Sequence, residues 1–453
     1  MTLTSHRTSI RHLLGVAATL SVLAWSGTAA ANIFDIYGLG ARGTAMGSAQ
    51  TADATDYDAV FYNPARLTAR RKTRFGFALQ LVAPSLDINR PSSSPGESAG
   101  GRDSVLPGEN IGVTAGVVFP MGGLIEDRIA IGVAFFLPTL NATRLEAFDP
   151  SVPQYVMYQA LPDQLVIAVG VAVEPLDGVR LGAGAQVLAA LVGETTVDLD
   201  TAQRRITRRE IRADIDATIA PVLGLSYTPA PWLDLGVSWR AALDLTYALP
   251  IHFNFSDVGL LDILIEGSAL YTPDHYNLGI AIHPAPRWTV ALDLTWARWS
   301  QAPAPTASIH ATLDDRRLYP DREPTLLLDL ATIDFDPGFV DVVIPRVGLE
   351  APVAEWLDAR AGYAFRPTPV PNQTGFTNYL DANAHQLSAG AAVRFQDPLE
   401  ILEAPISVEA FVQLTLLADR PVHKLADRDP IGIGPYDAGG SIVNFGLDFR
   451  HDF

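Results

Sequence analysis

Residues 441–453, at the end of the chain, read Ser-Ile-Val-Asn-Phe-Gly-Leu-Asp-Phe-Arg-His-Asp-Phe. From Val443 onward, apolar or aromatic side chains at odd positions alternate with polar or small ones at even positions. Because a strand directs successive side chains to opposite faces, this stretch predicts a sheet with one apolar and one polar face. An inward polar face and an outward apolar face are typical of a barrel wall between water and lipid.

The N-terminus has the pattern of a secretory signal peptide. Arg7 and Arg11 precede an apolar run over residues 13–25, and small residues lead up to Ala31, where we expect cleavage. The run is shorter than the about 20 residues that a spanning helix needs, which argues against an N-terminal membrane anchor. We therefore exclude residues 1–31 from the fold.

Composition excludes several classes of protein. The 453 residues carry a formal net charge of −18, and removal of Arg7 and Arg11 takes the mature chain to −20. A chain this acidic disfavours nucleic acid as a partner, since phosphate binding needs basic side chains. There is no cysteine, so disulfides cannot stabilise the exported chain. Uninterrupted apolar stretches long enough for spanning helices are also missing from the sequence after the signal.

From Arg74 onward the chain is a series of alternating runs separated by turns. We predict an all-β fold, a transmembrane antiparallel barrel of about 14 strands, because an even count is usual for single-chain bacterial barrels. The predicted strands span residues 74–88, 110–121, 128–139, 163–174, 179–199, 206–228, 233–255, 269–284, 288–300, 341–354, 357–369, 383–397, 405–421 and 441–453.

The turns are of two kinds, which distinguishes the two ends of the barrel. Short, proline-rich turns are assigned to the periplasmic end, and tryptophans that follow three of them (Trp232, Trp288 and Trp356) predict an aromatic belt there. The short turns lie at 174–178, 229–231, 283–286 and 351–355. The long connections, predicted to lie outside the cell, are 89–109, 140–162, 256–268, 301–340 and 422–440.

The segment 32–71 is rich in glycine and small residues and lacks sustained alternation. About eight strands make a barrel that side chains just fill, so 14 strands leave a lumen that something must plug. We therefore predict three parts: a signal peptide at 1–31, an N-terminal hatch inside the lumen at 32–71, and the barrel at 72–453.

Two motifs carry a family resemblance. Residues 32–49 read Asn-Ile-Phe-Asp-Ile-Tyr-Gly-Leu-Gly-Ala-Arg-Gly-Thr-Ala-Met-Gly-Ser-Ala, and residues 58–65 read Asp-Ala-Val-Phe-Tyr-Asn-Pro-Ala. Together they resemble the N-terminus of the FadL-type family of outer-membrane transporters for long-chain fatty acids and other hydrophobic compounds. The resemblance implies a 14-stranded barrel with an N-terminal hatch, a low-affinity site in the outer loops and a deeper site near the mature N-terminus. It also implies a side door where the third strand bends beside the hatch.

A hydrophobic cargo needs apolar surface where water would otherwise be, at about 25 cal/mol per Å² covered. The outer connections 258–265 and 325–333 are unusually apolar, and we predict that they form a landing groove of short helices. Packing of the two stretches against each other over the barrel mouth is a compatible alternative. The candidate ligand-binding residues in them are Leu261, Leu264, Leu327 and Leu328, and those of the inner site are Phe34, Ile36 and Tyr37.

A fatty-acid carboxylate would favour an arginine in a partly dry site. Alternation directs Arg180, Arg240, Arg346, Arg360 and Arg394 to the lumen, where most of them are expected to pair with lumen acids as structural charge ladders. Arg346 and Arg360 are the candidates for contact with ligand.

Five residues are candidates for gating. Asn63, Pro64 and Ala65 predict a tight turn in the hatch, because proline fixes φ and asparagine bonds to local backbone. Gly132 could permit a bend in the third strand, and Pro138 removes a ladder donor from it. A purely structural turn and an ordinary strand end are the alternatives.

Enzymatic and metal chemistry have little support. Histidines lack a convincing serine partner, and neither Cys nor a His-x-x-x-His spacing occurs, so we predict a protein that is not an enzyme and has no metal or cofactor. The expected partners are a hydrophobic small molecule and outer-membrane lipid, with the chain acting as a monomer. The alternative function is a non-transporting barrel that serves as a secretion or surface-assembly partner.

Overall fold

The computed structural model describes residues 33–89, 106–121, 128–139, 151–158, 165–200, 205–255, 259–303, 308–330, 337–398, 404–425 and 435–453. The predicted signal peptide lies outside these residues. No helix in these ranges is both long enough and apolar enough to cross a membrane.

Short helices come first in the chain. They are α1 (Ile33–Tyr37), α2 (Ala41–Ala45), α3 (Ala59–Tyr62) and a 3₁₀ helix (Pro64–Thr68), and a further 3₁₀ turn spans Trp299–Gln301. The strands are β1 (Arg74–Asn89), β2 (Asn110–Met121), β3 (Ile129–Pro138), β4 (Gln154–Tyr155), β5 (Val166–Leu176), β6 (Val179–Asp200), β7 (Arg205–Ala230), β8 (Leu233–Arg240), β9 (Leu243–Phe255), β10 (Gly259–Thr272), β11 (His275–Ile282), β12 (Thr289–Ala297), β13 (Ser308–Asp314), β14 (Thr325–Leu330), β15 (Val342–Ala354), β16 (Leu357–Arg366), β17 (Tyr379–Leu380), β18 (Ala384–Phe395), β19 (Ile406–Val422) and β20 (Tyr436–Asp452).

Fourteen of these strands form one closed antiparallel barrel. Their order around the wall is β1-β2-β3-β5-β6-β7-β8-β11-β12-β15-β16-β18-β19-β20, and β20 pairs back with β1 from Arg74↔Asp452 to Asn89↔Asp437. This confirms the predicted fold class and strand number. Closure leaves no free sheet edge in the wall, as a barrel in lipid requires.

The two faces of the wall differ as the alternation predicts. On β20, Asn444 and Asp448 point inward and are 1% exposed, whereas Phe445 and Leu447 point outward and are 48% and 56% exposed. Trp232, Trp288 and Trp356 are exposed at the end of the barrel where the turns are short. An aqueous surface would not favour so many outward apolar side chains, but acyl chains would.

The predicted strand 233–255 was wrong in one respect, because it divides into two strands with different partners. β8 stays in the wall, pairing with β7 and β11 up to Arg240, whereas β9 runs parallel to the outer part of β6. The backbone N–H of Ala242 donates to Asp274 Oδ1 at 3.2 Å where the chain leaves the wall. The alternation continues through the break, so periodicity could not reveal the change of partner.

The predicted strand 269–284 likewise divides. Its first residues end β10, which stops at Thr272, and the wall resumes with β11 at His275. Pro273 lies between them, and a residue without an N–H cannot continue the ladder.

The apolar outer stretches are strands, so the prediction of short helices was wrong. β10 and β14 both pair with β13, and β10 also pairs with β9. We call β9, β10, β13 and β14 the outer sheet. Leucine and isoleucine are frequent in these stretches and are compatible with a strand, and pairing with β13 satisfies the backbone hydrogen bonds.

The N-terminal segment, residues 33–69, lies inside the cylinder. Nearly all of its residues are buried, with Tyr37, Ala41, Met46 and Tyr57 fully so. Its α2 contacts β16, β18, β19 and β20, and its 3₁₀ helix contacts β2, β3, β5, β6 and β7. The lumen that the strand number leaves open is therefore filled from within.

Two outer connections also fold into the barrel mouth, and we call residues 151–158 and 367–383 the outer lid. β4 and β17 form a parallel pair there, with Gln154 opposite Tyr379. The Tyr155 hydroxyl donates to the Gly439 carbonyl of β20 at 2.9 Å, and Lys424 Nζ donates to three lid carbonyls, those of Gln373, Gly375 and Thr377.

Candidate ligand-binding site and its closure

The turn at Asn63 fixes the N-terminal segment to the wall. Asn63 has extended backbone, its Oδ1 accepts from the Ala65 N–H at 3.1 Å, and Pro64 occupies the first position of the 3₁₀ helix. Its Nδ2 donates to the carbonyls of Thr51 at 2.7 Å and of Leu225 in β7 at 3.1 Å. The local bonding expected from the sequence is present, and the bond to the wall adds a function that the motif alone did not indicate.

Glycines of the wall allow the segment to pack directly on the strands. A Cβ built on Gly182 of β6 would lie 2.2 Å from the backbone nitrogen of Ala65, which excludes any side chain there. Comparable contacts with the segment occur on 11 of the 14 wall strands, so the segment touches most of the circumference. The glycines are Gly76, Gly116, Gly132, Gly170, Gly182, Gly224, Gly236, Gly279, Gly348, Gly362 and Gly390.

A continuous ladder of charges runs between the segment and the wall. Arg42 pairs with Asp53 and, at 3.0 Å, with Glu350 of β15. Arg360 of β16 pairs with Glu350 at 2.6 Å and with Glu409 of β19 at 2.5 Å. The predicted lumen charge ladder is confirmed for Arg360, which is held by two carboxylates rather than facing a cavity.

The ladder ends at a cluster of acids around Arg450 of β20. Arg450 pairs with Asp56 and, at 2.8 Å, with Asp448, and its distance to Asp58 is 3.9 Å. Burial raises the pKa of Asp58 to about 7, the charge of Asp56 adds to the rise, and Arg450 opposes it. The buried Asp58 carboxyl therefore holds its proton more tightly than an ordinary carboxyl does.

A second contact between segment and wall lies nearer the short turns. Asp53, Asp234 and His283 place ligand-type atoms within 4.8 Å of one another. Arg42 already pairs with Asp53, and Arg66 pairs with Asp234 at 3.1 Å. Because both carboxylates are neutralised by guanidinium groups, the arrangement is an ion-pair contact between segment and wall rather than a cation site.

Two narrow cavities adjoin helix α1. The inner cavity has a volume of about 20 Å³, and its lining includes Phe34, Phe61 and Tyr62 of the segment with Arg240 and Asp293 of the wall. The outer cavity, also about 20 Å³ in volume, lies beneath the outer lid. Its lining includes Ile36, Met157, Trp299, Val342 and Ile344.

Asp35 and Arg346 line both cavities, so the two meet at these side chains. Asp35 pairs with Arg240, whose guanidinium carbon lies 4.0 Å from the centre of the Phe61 ring. Arg346 donates to the hydroxyl of Thr295, which in turn donates to Asn277 Oδ1 at 2.6 Å. The outer cavity is therefore mainly apolar with a few convergent polar groups, as in small-molecule sites generally, whereas the inner cavity is lined mainly by polar and charged side chains.

The structure thus brings together Phe34, Ile36 and Arg346 of the predicted site. Tyr37 is fully buried but lines neither cavity, and its carbonyl accepts from Asn444 Nδ2 at 2.9 Å. The four leucine candidates lie in the outer sheet, separated by β13, and neighbours such as Leu327 and Leu328 face opposite sides. Asp35 was missed because the only signal for it was position within the glycine-rich motif.

No family model matches the sequence, and no curated protein matches it. Several solved structures, however, are similar to the chain in fold. A Pseudomonas aeruginosa FadL homologue aligns at a TM-score of 0.57 and 16% identity over 91% of this chain and 98% of that one. The Pseudomonas putida toluene transporter TodX aligns at a TM-score of 0.56 and 16% identity, over 92% of this chain and 99% of that one. The chain has the FadL-type fold. The CymD monoaromatic hydrocarbon channel aligns at a TM-score of 0.52 and 14% identity, over 93% of this chain and 99% of that one.

Within this FadL-type fold, β3 is the strand next to which a side door was expected. Its register is unshifted, with β2 from Gly112↔Pro138 to Met121↔Ile129 and with β5 from Ile129↔Val173 to Phe136↔Val166. A Cβ on Gly132 would lie 2.5 Å from Leu67 Cδ2. In this state Gly132 allows Leu67 to pack against the wall, and the wall beside it is closed.

Proposed function

We propose that the chain is a passive outer-membrane channel for hydrophobic small molecules, gated by its own N-terminal segment. The observation that carries this proposal is a closed 14-stranded barrel whose lumen is filled by residues 33–69, with two small cavities against that filling, the outer of which is mainly apolar. Residues 32–71 are assigned as the hatch and 72–453 as the barrel. A water-filled pore would not need such a filling, whereas a channel for apolar cargo needs dry surface inside.

The outward face supports a location in lipid. Phe77, Leu223 and Leu447, from strands far apart in the chain, are 45%, 49% and 56% exposed on the outside of the wall. This apolar exterior, with tryptophans at the end bearing short turns, fits the outer membrane of a Gram-negative bacterium, where lipid is the surrounding partner and a single chain closes the barrel.

The cargo is a hydrophobic compound of small-molecule size. The similar structures include toluene transporters and a monoaromatic hydrocarbon channel, and the N-terminal motifs resemble a family that also carries long-chain fatty acids. In the proposed route, the exposed leucines of the outer sheet receive the cargo, which then enters the outer cavity once the lid moves. Movement of the hatch opens the inner cavity, with exit beside Gly132 when Leu67 withdraws.

A transport role is favoured over catalysis. Residues 96–100 read Gly-Glu-Ser-Ala-Gly, which has the spacing of a hydrolase nucleophile elbow, but they belong to the outer connection after β1 and lie outside the described residues. A nucleophile elbow needs a strand-to-helix turn. The alternative, a secretion or surface-assembly partner, would have no use for an apolar cavity behind a closed lid.

Reconstitution tests the proposal. In liposomes, the purified protein should accelerate transfer of labelled toluene or dodecanoic acid while showing little ion conductance, and deletion of residues 33–40, which removes α1, should abolish regulated transfer. Large steady conductance of the unaltered protein would argue against a closed hatch. Transfer no faster than in protein-free liposomes would support the partner role instead.

A further inference from the structure

The lipid-facing side of the wall continues along β6 into the outer half of that strand. Leu188 is fully buried inside the barrel, whereas Leu181 is 46% exposed on the outside. The pairing of β6 with β7 has no register shift up to Asp198, and successive side chains of a strand alternate between its two faces. Val197, an even number of residues after Leu181, therefore lies on the same side as the lipid-facing residues.

The outer sheet extends this side of β6. Phe253 of β9 is paired with Val197. Leu261 of β10 is paired with Phe253 and with Leu313 of β13. Directly paired residues lie on the same face of a sheet, so one face of the outer sheet continues the lipid-facing side of the wall. Two further rows of paired residues complete what we call the apolar face of β9, β10 and β13: Ile251, Ile263 and Ala311, then Leu249, Ile265 and Ile309.

The opposite face of the same sheet is polar. His252 Nδ1 lies 2.5 Å from Asp262 Oδ1, and His310 Nδ1 lies 2.7 Å from Asp329 Oδ1. Thr312 is paired with Asp262 on this face as well. The nine residues of the apolar face include no polar side chain. A sheet with two such unequal faces suits a boundary between water and an apolar environment.

The apolar face is not packed against the rest of the chain described. Within the described ranges, β9, β10 and β13 make their main contacts with one another and with β6, β7 and β14. None of the nine residues is part of the hydrophobic core. From the spacing of strands and of residues along them, the face has an area of about 300 Å². Apolar patches of this size on a protein surface are often sites of contact.

Two observations favour membrane lipid as the partner of this face. The face is continuous with the lipid-facing side of the wall, so an outer sheet that leans outward turns it toward the outer leaflet and leaves the polar face in water. At the far end of the sheet, the β13–β14 hairpin presents exposed Leu318 and Tyr319 between Arg317 and Arg322. Tyrosine and long basic side chains are common where a protein meets the headgroups of a membrane.

We propose that the apolar face lies against the acyl chains of the outer leaflet, which makes the outer sheet a second lipid-contacting surface beside the barrel wall. The partner is the hydrocarbon part of membrane lipid. The polar face, with its two histidine–aspartate pairs, stays in water. The inference goes beyond the proposed function, because neither gating by the hatch nor transfer of cargo requires the outer sheet to touch lipid.

Fluorescence quenching in phosphatidylcholine liposomes tests this contact, and the absence of cysteine from the chain allows single labelling sites. Leu313→Cys on the apolar face and Thr312→Cys on the polar face are adjacent in β13 and both half-buried, so they form a matched pair. With bimane attached, Leu313→Cys should be quenched about twofold or more as strongly as Thr312→Cys by phosphatidylcholine that carries a nitroxide on its acyl chain. Aqueous iodide should give the reverse order. Leu447→Cys, on the exposed outside of the wall, is the reference for lipid contact.

Ile263→Cys repeats the measurement on a different strand of the apolar face, and unaltered gel mobility before and after heating shows that each labelled barrel is folded. Stronger quenching of Leu313→Cys by iodide than by the lipid nitroxide would overturn the proposal. Protection of both Leu313→Cys and Ile263→Cys from both quenchers would mean that protein covers the face, either a second copy of the chain or another segment of it, and would also overturn the proposal. Neither result would overturn the channel function, which is tested separately by ligand transfer.

Discussion

The amide of Asn63 donates to the carbonyl of Leu225 across 162 residues of sequence, at 3.1 Å. The same side chain holds the Ala65 N–H through Oδ1 and the Thr51 carbonyl through Nδ2. One residue therefore organises the turn of the N-terminal segment and anchors that turn to β7. The Asn-Pro-Ala triplet acts through geometry, and its partners in the wall explain why an amide is needed.

Asn63→Ala should loosen the hatch. Loss of buried hydrogen-bond partners costs about 1–3 kcal/mol, which corresponds to roughly a 5- to 150-fold larger undocked population. Asn63→Asp should be at least as disruptive, since it keeps the acceptor but sets a carboxylate against two carbonyls. Single-channel conductance and proteolysis of the N-terminal segment measure both, with Asn372→Ala on the outer lid as the control. If Asn63→Asp shows the same conductance and the same proteolysis as the unaltered protein, the hydrogen bond to Leu225 does not hold the segment in place.

Gly182→Ala should displace the 3₁₀ helix from the wall, because its Cβ would lie 2.2 Å from a backbone nitrogen that cannot move independently. We expect raised basal conductance with a barrel that still resists unfolding in detergent. Gly375→Ala is the matched control, since a Cβ there meets no atom within 4 Å. Equal conductance of the two variants would show that the hatch does not seal at Gly182.

Docking of the hatch should depend on pH through Asp58. The docked carboxyl keeps its proton up to about pH 7, whereas an undocked one loses it near the ordinary value of 3.8. The docked state binds the extra proton, so its stability falls as the pH rises from about 4 to 7 and is level above that. Asp58→Asn should flatten proteolytic protection of the hatch between pH 5 and 8. Retention of the full wild-type pH profile by this variant would assign the effect to another group.

A disulfide should lock the outer lid. The chain has no cysteine of its own, and Gln154 and Tyr379 are paired across β4 and β17, within the reach of a disulfide. With Gln154→Cys and Tyr379→Cys oxidised, ligand transfer should fall sharply and recover on reduction. Val169→Cys with Ala185→Cys, paired between β5 and β6 in the wall, should leave transfer unchanged. Undiminished transfer with the lid cross-linked would mean that cargo enters by another path.

Some of the site was within reach of the sequence. Phe34 and Ile36 were predicted from their apolar character near the mature N-terminus and Arg346 from strand alternation, both local properties, and all three line the cavities. Arg360 was predicted by the same alternation but is held by Glu350 and Glu409, since direction toward the lumen does not specify a partner. Most wall strands carry a lumen-facing glycine, and this recurrence in the sequence indicates a segment packed inside the barrel. The prediction of the internal segment did not rest on these glycines.

The sequence by itself determined the barrel: the 14 wall strands, their inner and outer faces, and the end with short turns, because the two-residue period and turn composition are written within a few neighbouring residues. The tertiary structure alone decided that β9 leaves the wall, that Asp35 meets Arg240 and that Asn63 meets Leu225. These contacts join residues far apart in the chain. The alternation within a strand is the same whichever strand pairs with it, so alternation cannot identify the partner. Choice of partner depends on register and on how the lumen is filled, which only the closed barrel defines.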